Sequence, residues 1–405
     1  IGFVQIYRFL NLIGLHFFRF CSYTTNINIL QLLSTLKRVK VNEEGDKIHS
    51  AFIKAVEIFI LVIWGSHPKV LAFVAPPANV GDLTAHLDTI AEHVNKAGAT
   101  WTAGRNFPPD LSDEHFKNLV SDFNPLGDLP ANAETCDCEG SAKELEEEDA
   151  FDAREQWKDC PSIKHITNQG ACQSSWAVAA ANVISDRQCV ASNGTIKDLM
   201  SAHHLLSCCS DCGLGCNGGW PRKAFTFYQK HGVVTGGDYN SKQGCQPYEL
   251  EPSSDFALSN DEDRDTPSCS KECTNKQYGK SLKRDLHFGK GVITPCCCWI
   301  KTTIREEGPV VTSMVVYEDF LTYKSGIYRH IWGKKIGYQT VRMIGWGREN
   351  GVDYWIAANS WGTGWGEKGF FRIYREKKMM TAQNRLSEAE FEYGYAGPVI
   401  KRKKH

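Results

Sequence analysis

The chain has 405 residues, with 46 Lys and Arg against 47 Asp and Glu and a formal net charge of -1. That length allows two or three structural units. The balanced charge excludes a chain-wide basic field of the kind that draws a protein to nucleic acid or to an anionic membrane. Sixteen cysteines, most of them between Cys160 and Cys298, point to an oxidising compartment, so a secreted, extracellular or lysosomal protein is expected.

In chain order, residues 1–50 form an apolar region with interspersed Arg and Asn and receive no assignment. Residues 51–75 are a candidate signal peptide: Lys54 precedes the apolar run Ile58 to Trp64, and Gly65, Ser66 and small residues up to Ala75 follow. The run is too short to span a membrane. Leu83, Leu87, Ile90 and Val94 then recur at the three- and four-residue spacing of one helical face. Pro125, Pro130, Cys136, Cys138 and the acidic run Glu144 to Asp149 cannot bury much apolar surface. They read as an exposed linker, where proteases cut.

Beyond Phe151 the pattern becomes that of a packed domain. Trp176 to Arg187 predicts a helix starting near Ser174, with Trp176, Ala179, Ala180, Val183 and Ile184 on one face. Asn193-Gly194-Thr195 is an N-glycosylation acceptor. Cys208 to Cys273 reads as loop-rich and cross-linked. Val310 to Val316, Val341 to Trp346, Tyr354 to Ala358 and Phe370 to Tyr374 are β-branched or aromatic runs between glycine turns, which predicts an antiparallel sheet or barrel. Helices followed by strands give an α+β class.

Asn168-Gln169-Gly170-Ala171-Cys172-Gln173-Ser174-Ser175-Trp176 resembles the active-site segment of papain-family cysteine peptidases, where a cysteine precedes the tryptophan. Phe151 to Trp157, Cys208-Cys209, Gly215 to Pro221, Gly345-Trp346-Gly347 and Ala358 to Gly362 are similar to the cathepsin B branch, as are Tyr317 to Phe320 and Tyr323 to Tyr328. The departures are of the kind found in nematode sets. Thr100 to Phe107 resembles the short cathepsin B propeptide, so residues 76–150 are expected to be propeptide and acidic linker and 151–400 a two-lobed papain-like domain, one lobe helical and one a β-barrel.

In that family a helix N-terminus and an imidazolium hold the nucleophilic thiol ionised. The resemblance places Ser175 where that cysteine belongs and Gln339 where the histidine belongs. It makes Asn359 the orienting amide, Gln169 the oxyanion donor, and Gly218, Gly219 and Trp361 parts of the substrate cleft. A serine hydroxyl needs a base, and an amide is not one. The chain is therefore expected to be an inactive homologue whose cleft still holds peptides, its own propeptide or peptidase inhibitors. A hydrolase with another base and a non-catalytic adhesive protein are the alternatives. The stretch from Cys245 to Cys269 contains no histidine, whereas cathepsin B carries there the paired histidines that hold a substrate's C-terminus.

The resemblance also implies disulfides joining Cys160 to Cys189, Cys172 to Cys216, Cys208 to Cys269, Cys209 to Cys212 and Cys245 to Cys273. Zinc at Cys208, Cys209, Cys212 and Cys216 is the competing reading, and no metal or cofactor is expected. Cys296, Cys297 and Cys298 match nothing in the family, and Cys136 and Cys138 pair with each other or with another chain. His203 and His204 read as core or surface residues, and no motif gives His330 the role of a base. The terminal Lys401 to Lys404 cluster reads as a solvated end.

Overall fold

The computed structural model describes residues 83–107, 116, 118–125, 150–252, 266–293, 299–375 and 391–399, with the backbone alone at 83–85 and 391–399. The candidate signal peptide, the acidic run, Cys136, Cys138, Cys296 to Cys298 and the terminal lysines lie outside these residues.

Helix α1, Leu83–Lys96, places Leu87, Ile90 and Val94 in the interior. They join Phe320, Tyr323 and Trp346 in one buried cluster, so the upstream helix shares the core of the β lobe. Strand β1, Trp101–Ala103, extends the junction by pairing with the strand that contains Gly326.

Strand β2, Phe151–Asp152, leads into the helical lobe: α2, Ser175–Ala191, α3, Ala202–Cys208, and α4, Pro221–Lys230. Only one face of α2 was expected to be apolar. Instead almost every residue from Ser175 to Val190 is buried, Asp186 and Arg187 included, because the helix lies between the helical lobe and the sheet and has no solvent side. The loop-rich expectation for Cys208 to Cys273 missed α4. Its signal was present in Pro221 at the first turn and in Ala224, Phe225 and Tyr228, which are buried on one side. His203 and His204 sit in α3, both buried.

After β3, Gly291–Ile293, and α5, Ile300–Glu307, come β4, Val310–Tyr317, β5, Tyr323–Tyr328, β6, Lys335–Glu349, β7, Val352–Ala358, β8, Phe370–Tyr374, and β9, Phe391–Val399. The strand order is β1-β5-β8-β7-β6-β4-β9-β3, with β2 added to β6. This α+β architecture differs in two ways from the expected antiparallel barrel. The sheet is not closed, and β5 pairs with β8 in parallel. Gly345-Trp346-Gly347 lies inside β6 and is not a turn. A side chain at Gly345 would come within 2.1 Å of the Phe151 carbonyl oxygen, so this glycine is what lets β2 dock on β6.

Disulfides join Cys160 to Cys189, Cys172 to Cys216, Cys208 to Cys269, Cys209 to Cys212 and Cys245 to Cys273. With their sulfurs paired, Cys208, Cys209, Cys212 and Cys216 have no thiolates to offer zinc. Among the described residues no helix is long and apolar enough to cross a membrane.

Candidate functional site

Ser175 opens α2, where the N-terminal peptide groups concentrate partial positive charge. Its Oγ accepts a hydrogen bond from the Thr340 backbone N–H at 3.2 Å. Among the described residues that is its hydrogen bond, and no imidazole or carboxylate is placed to take its proton. His330 is engaged elsewhere: its Nδ1 lies 3.1 Å from both carboxylate oxygens of Asp319, and its ring stacks on Tyr317.

Gln339 comes from β6, next to Thr340, and is fully buried. Its Nε2 faces three acceptors: Asn359 Oδ1 at 2.9 Å, Gln169 Oε1 at 3.0 Å and Ser360 Oγ at 3.1 Å. Ser360 Oγ in turn donates to Gln169 Oε1 at 2.6 Å, and Asn359 Oδ1 also accepts the Ser360 backbone N–H at 2.8 Å. The structure thus gathers Ser175, Gln339, Asn359 and Gln169 at the junction of α2 and β6. The group at the expected base position acts as a donor, and no titratable side chain belongs to the network.

Gln169 has no free donor. Its Nε2 gives one hydrogen to the Cys172 carbonyl at 2.7 Å and the other to the Leu119 carbonyl at 3.0 Å. Leu119 belongs to the upstream segment, whose Ser121 forms a two-way backbone pair with Tyr338 at 2.9 and 2.7 Å. Phe123 of the same segment packs edge-on against Trp220. The upstream chain therefore meets the domain at Gln169, Tyr338 and Trp220, through one isolated antiparallel bridge and two side-chain contacts.

The two glycines serve different neighbours. Gly218 has φ +102°, and a Cβ there would meet Ser121 Oγ at 2.4 Å and Phe123 Cβ at 2.5 Å, so it admits the upstream segment. A Cβ on Gly219 would strike the Trp176 ring at 2.7 Å, so this glycine serves packing within the helical lobe. Trp361 packs against Phe107, Phe320 and Trp365. Ser360, Thr340, Leu119 and Tyr248 were not singled out by the sequence. Tyr248 hydroxyl donates to the Gln169 carbonyl and lies 2.8 Å from Ser174 Oγ, tying the stretch after Cys245 to the loop before α2.

Two buried cations tie α2 to the rest of the molecule. Arg342 of β6 donates to Asp186 at 2.8 Å, with 1% and 0% of the two side chains exposed, and to the carbonyls of Ser162 and His165. Burial raises the Asp186 carboxyl above the ordinary range, although Arg342 opposes the shift. Burial also lowers Arg187 to about 10, while Glu307, 3.1 Å away, acts in the other direction. Among the described residues no group of three or more His, Cys, Asp or Glu could hold a metal ion.

Residues 148–389 match the model of the papain family of cysteine proteases. The chain is 40% identical over 299 residues to cathepsin B-like cysteine proteinase 4 of Caenorhabditis elegans, covering 71% of this chain and 87% of that protein. It is 43% identical over 294 residues to proteinase 3 of the same series and organism, covering 71% and 77%. Among solved structures it is similar to procathepsin B S9 from Trypanosoma congolense, with TM-score 0.63, 31% identity and coverage of 78% of this chain and 98% of that one. The proform of the ragweed pollen cysteine protease Amb a 11, at 19% identity and TM-score 0.56, shares the fold.

Proposed function

The chain belongs to the papain family of cysteine proteases, with cathepsin B-like proteins as its relatives, and we propose that it is a pseudopeptidase that holds peptide in its cleft without cutting it. One observation carries this reading. Ser175 Oγ accepts a backbone N–H, and Gln339 turns its amide donor toward Asn359, Gln169 and Ser360. An attacking hydroxyl must hand its proton to a base, and a carboxamide is not one near neutral pH. In a serine peptidase, removing the nucleophile or the base lowers turnover by about 10⁶.

The segment 76–150 is the propeptide and linker in this reading, and 151–400 is the papain-like domain. The cleft's first occupant is the chain's own upstream segment, supported by the Gln169–Leu119 hydrogen bond and the Ser121–Tyr338 pair. Free peptides and peptidase inhibitors are the other ligands. The disulfides support a secretory or lysosomal route begun by the signal peptide at 51–75, with Asn193, exposed just after α2, as the glycan acceptor.

The test is turnover of a broad fluorogenic dipeptide by the purified chain, intact and after an added protease has cut the acidic linker. No hydrolysis above buffer is expected from either form. Inhibitor-sensitive turnover at the level of an ordinary cathepsin would overturn the reading.

A further inference from the structure

Beside the site lies a cavity of about 450 Å³ that the chemistry of Ser175 does not use. Asn168 and Trp361 line it, and they are the chain neighbours of the hydrogen-bonded pair Gln169 and Ser360. Phe107 of the upstream segment forms part of its wall, with Tyr239, Trp365 and Asp238 from the domain. Among the described residues lining it, Asp238 alone carries a formal charge. Its Oδ1 is 3.0 Å from His165 Nε2, and 42% of the side chain is exposed, which leaves its second oxygen within a ligand's reach.

We propose that this cavity is a subsite for a guanidinium and takes an arginine side chain of an extended peptide, with Asp238 as the charge partner. The inference rests on the reading of the cleft as a peptide-holding groove and names what one part of it selects. An aromatic ring attracts a cation through its negative face, and of the aromatics lining the cavity Tyr239 is the exposed one; a planar guanidinium can stack on that ring and donate to the second carboxylate oxygen. An ammonium is a point charge and lacks that match. A peptide's free C-terminal carboxylate would be repelled here, the reverse of what the family's histidine pair provides. His165 is the competing cation. Its Nε2 lies against Oδ1, on one side of the carboxylate.

The test uses the full chain, so that Phe107 stays in place, at pH 7.5. Tryptophan fluorescence or calorimetry follows titration with N-acetyl-arginine amide and with its neutral isostere, N-acetyl-citrulline amide. The arginine compound should bind at least about fivefold more tightly, the scale of one accessible charge pair with a cation–π contact. Asp238→Asn should abolish the preference and Asp238→Glu retain it, with unchanged circular dichroism in both. Equal binding of the two compounds, no binding of either, or a preference that survives Asp238→Asn would overturn the proposal. The outcomes separate from those of the turnover assay. A chain that hydrolyses dipeptides yet prefers arginine sinks only the inactive reading, and an inert chain with no preference sinks only this one.

Discussion

Gln339 Nε2 and Gln169 Oε1 meet at 3.0 Å across the junction of the two lobes, a contact between two neutral amides at the position where the proposed reading expects the family's histidine. Asn359 Oδ1 already accepts from Gln339 at 2.9 Å, so the acceptor that would orient an imidazole is in place. Ser175→Cys or Gln339→His alone should leave dipeptide turnover at background. The double substitution should exceed either by at least about 10³-fold, because nucleophile and base act as one unit. A double variant as inert as the singles would mean that the site has lost more than its dyad.

Gly218 lies against Ser121 of the upstream segment. Gly218→Ala puts a methyl within 2.4 Å of Ser121 Oγ at a φ of +102°. It should lift the segment and raise amide exchange at residues 119–123 at least tenfold. Exchange rates equal to those of the parent chain would count against this contact.

On the proposed reading the chain cannot trim itself. Secreted from a host with its proteases disabled, it should keep residues 76–150, as read by intact mass after deglycosylation. Clean loss of that segment would contradict the inactive reading.

Asp186 and Arg342 form a buried ion pair at 2.8 Å. Asp186→Ala strands a buried guanidinium and should cost about 3–5 kcal/mol in denaturant unfolding. The joint change Asp186→Leu with Arg342→Met should cost markedly less, because no charge then stays buried without a partner. A loss from Asp186→Ala no larger than that of the double change would contradict this account.

Burial pushes the His204 imidazole down from 6.5 to about 4, and His203 adds to the shift. The unfolded chain takes up this proton near 6.5, whereas the folded chain does so only near 4. Its contribution is complete above pH 6.5 and drains away as pH falls toward 4, by roughly 3 kcal/mol in total. His204→Phe, which keeps a ring against Phe227, should flatten much of the fall in unfolding midpoint between pH 7.5 and 4.5. A variant with the parent's slope would assign that proton elsewhere.

Much of the molecule was legible because its signals are local. Val310 to Val316 is an unbroken β-branched run, and it becomes β4, which lies between β6 and β9. The apolar spacing of Leu87, Ile90 and Val94 became the buried face of α1. Helix α4 was overlooked because four nearby cysteines and several glycines outweighed a ten-residue period. The amphipathic reading of α2 failed because alanine and valine on every side do not reveal which neighbours will cover them.

By itself the amino-acid order determined the family, and it places an alcohol at 175 and an amide at 339, the positions that the proposed reading assigns to the dyad. Only the tertiary structure decided that Gln339 points its donor at Asn359, Gln169 and Ser360, that Gln169 spends a hydrogen on Leu119, and that Asp238 faces a cavity walled by Phe107 and Trp361. Those relations join residues dozens to hundreds of positions apart. Hydrogen-bond direction and cavity lining depend on where the packed chain brings such residues together, which no local pattern encodes.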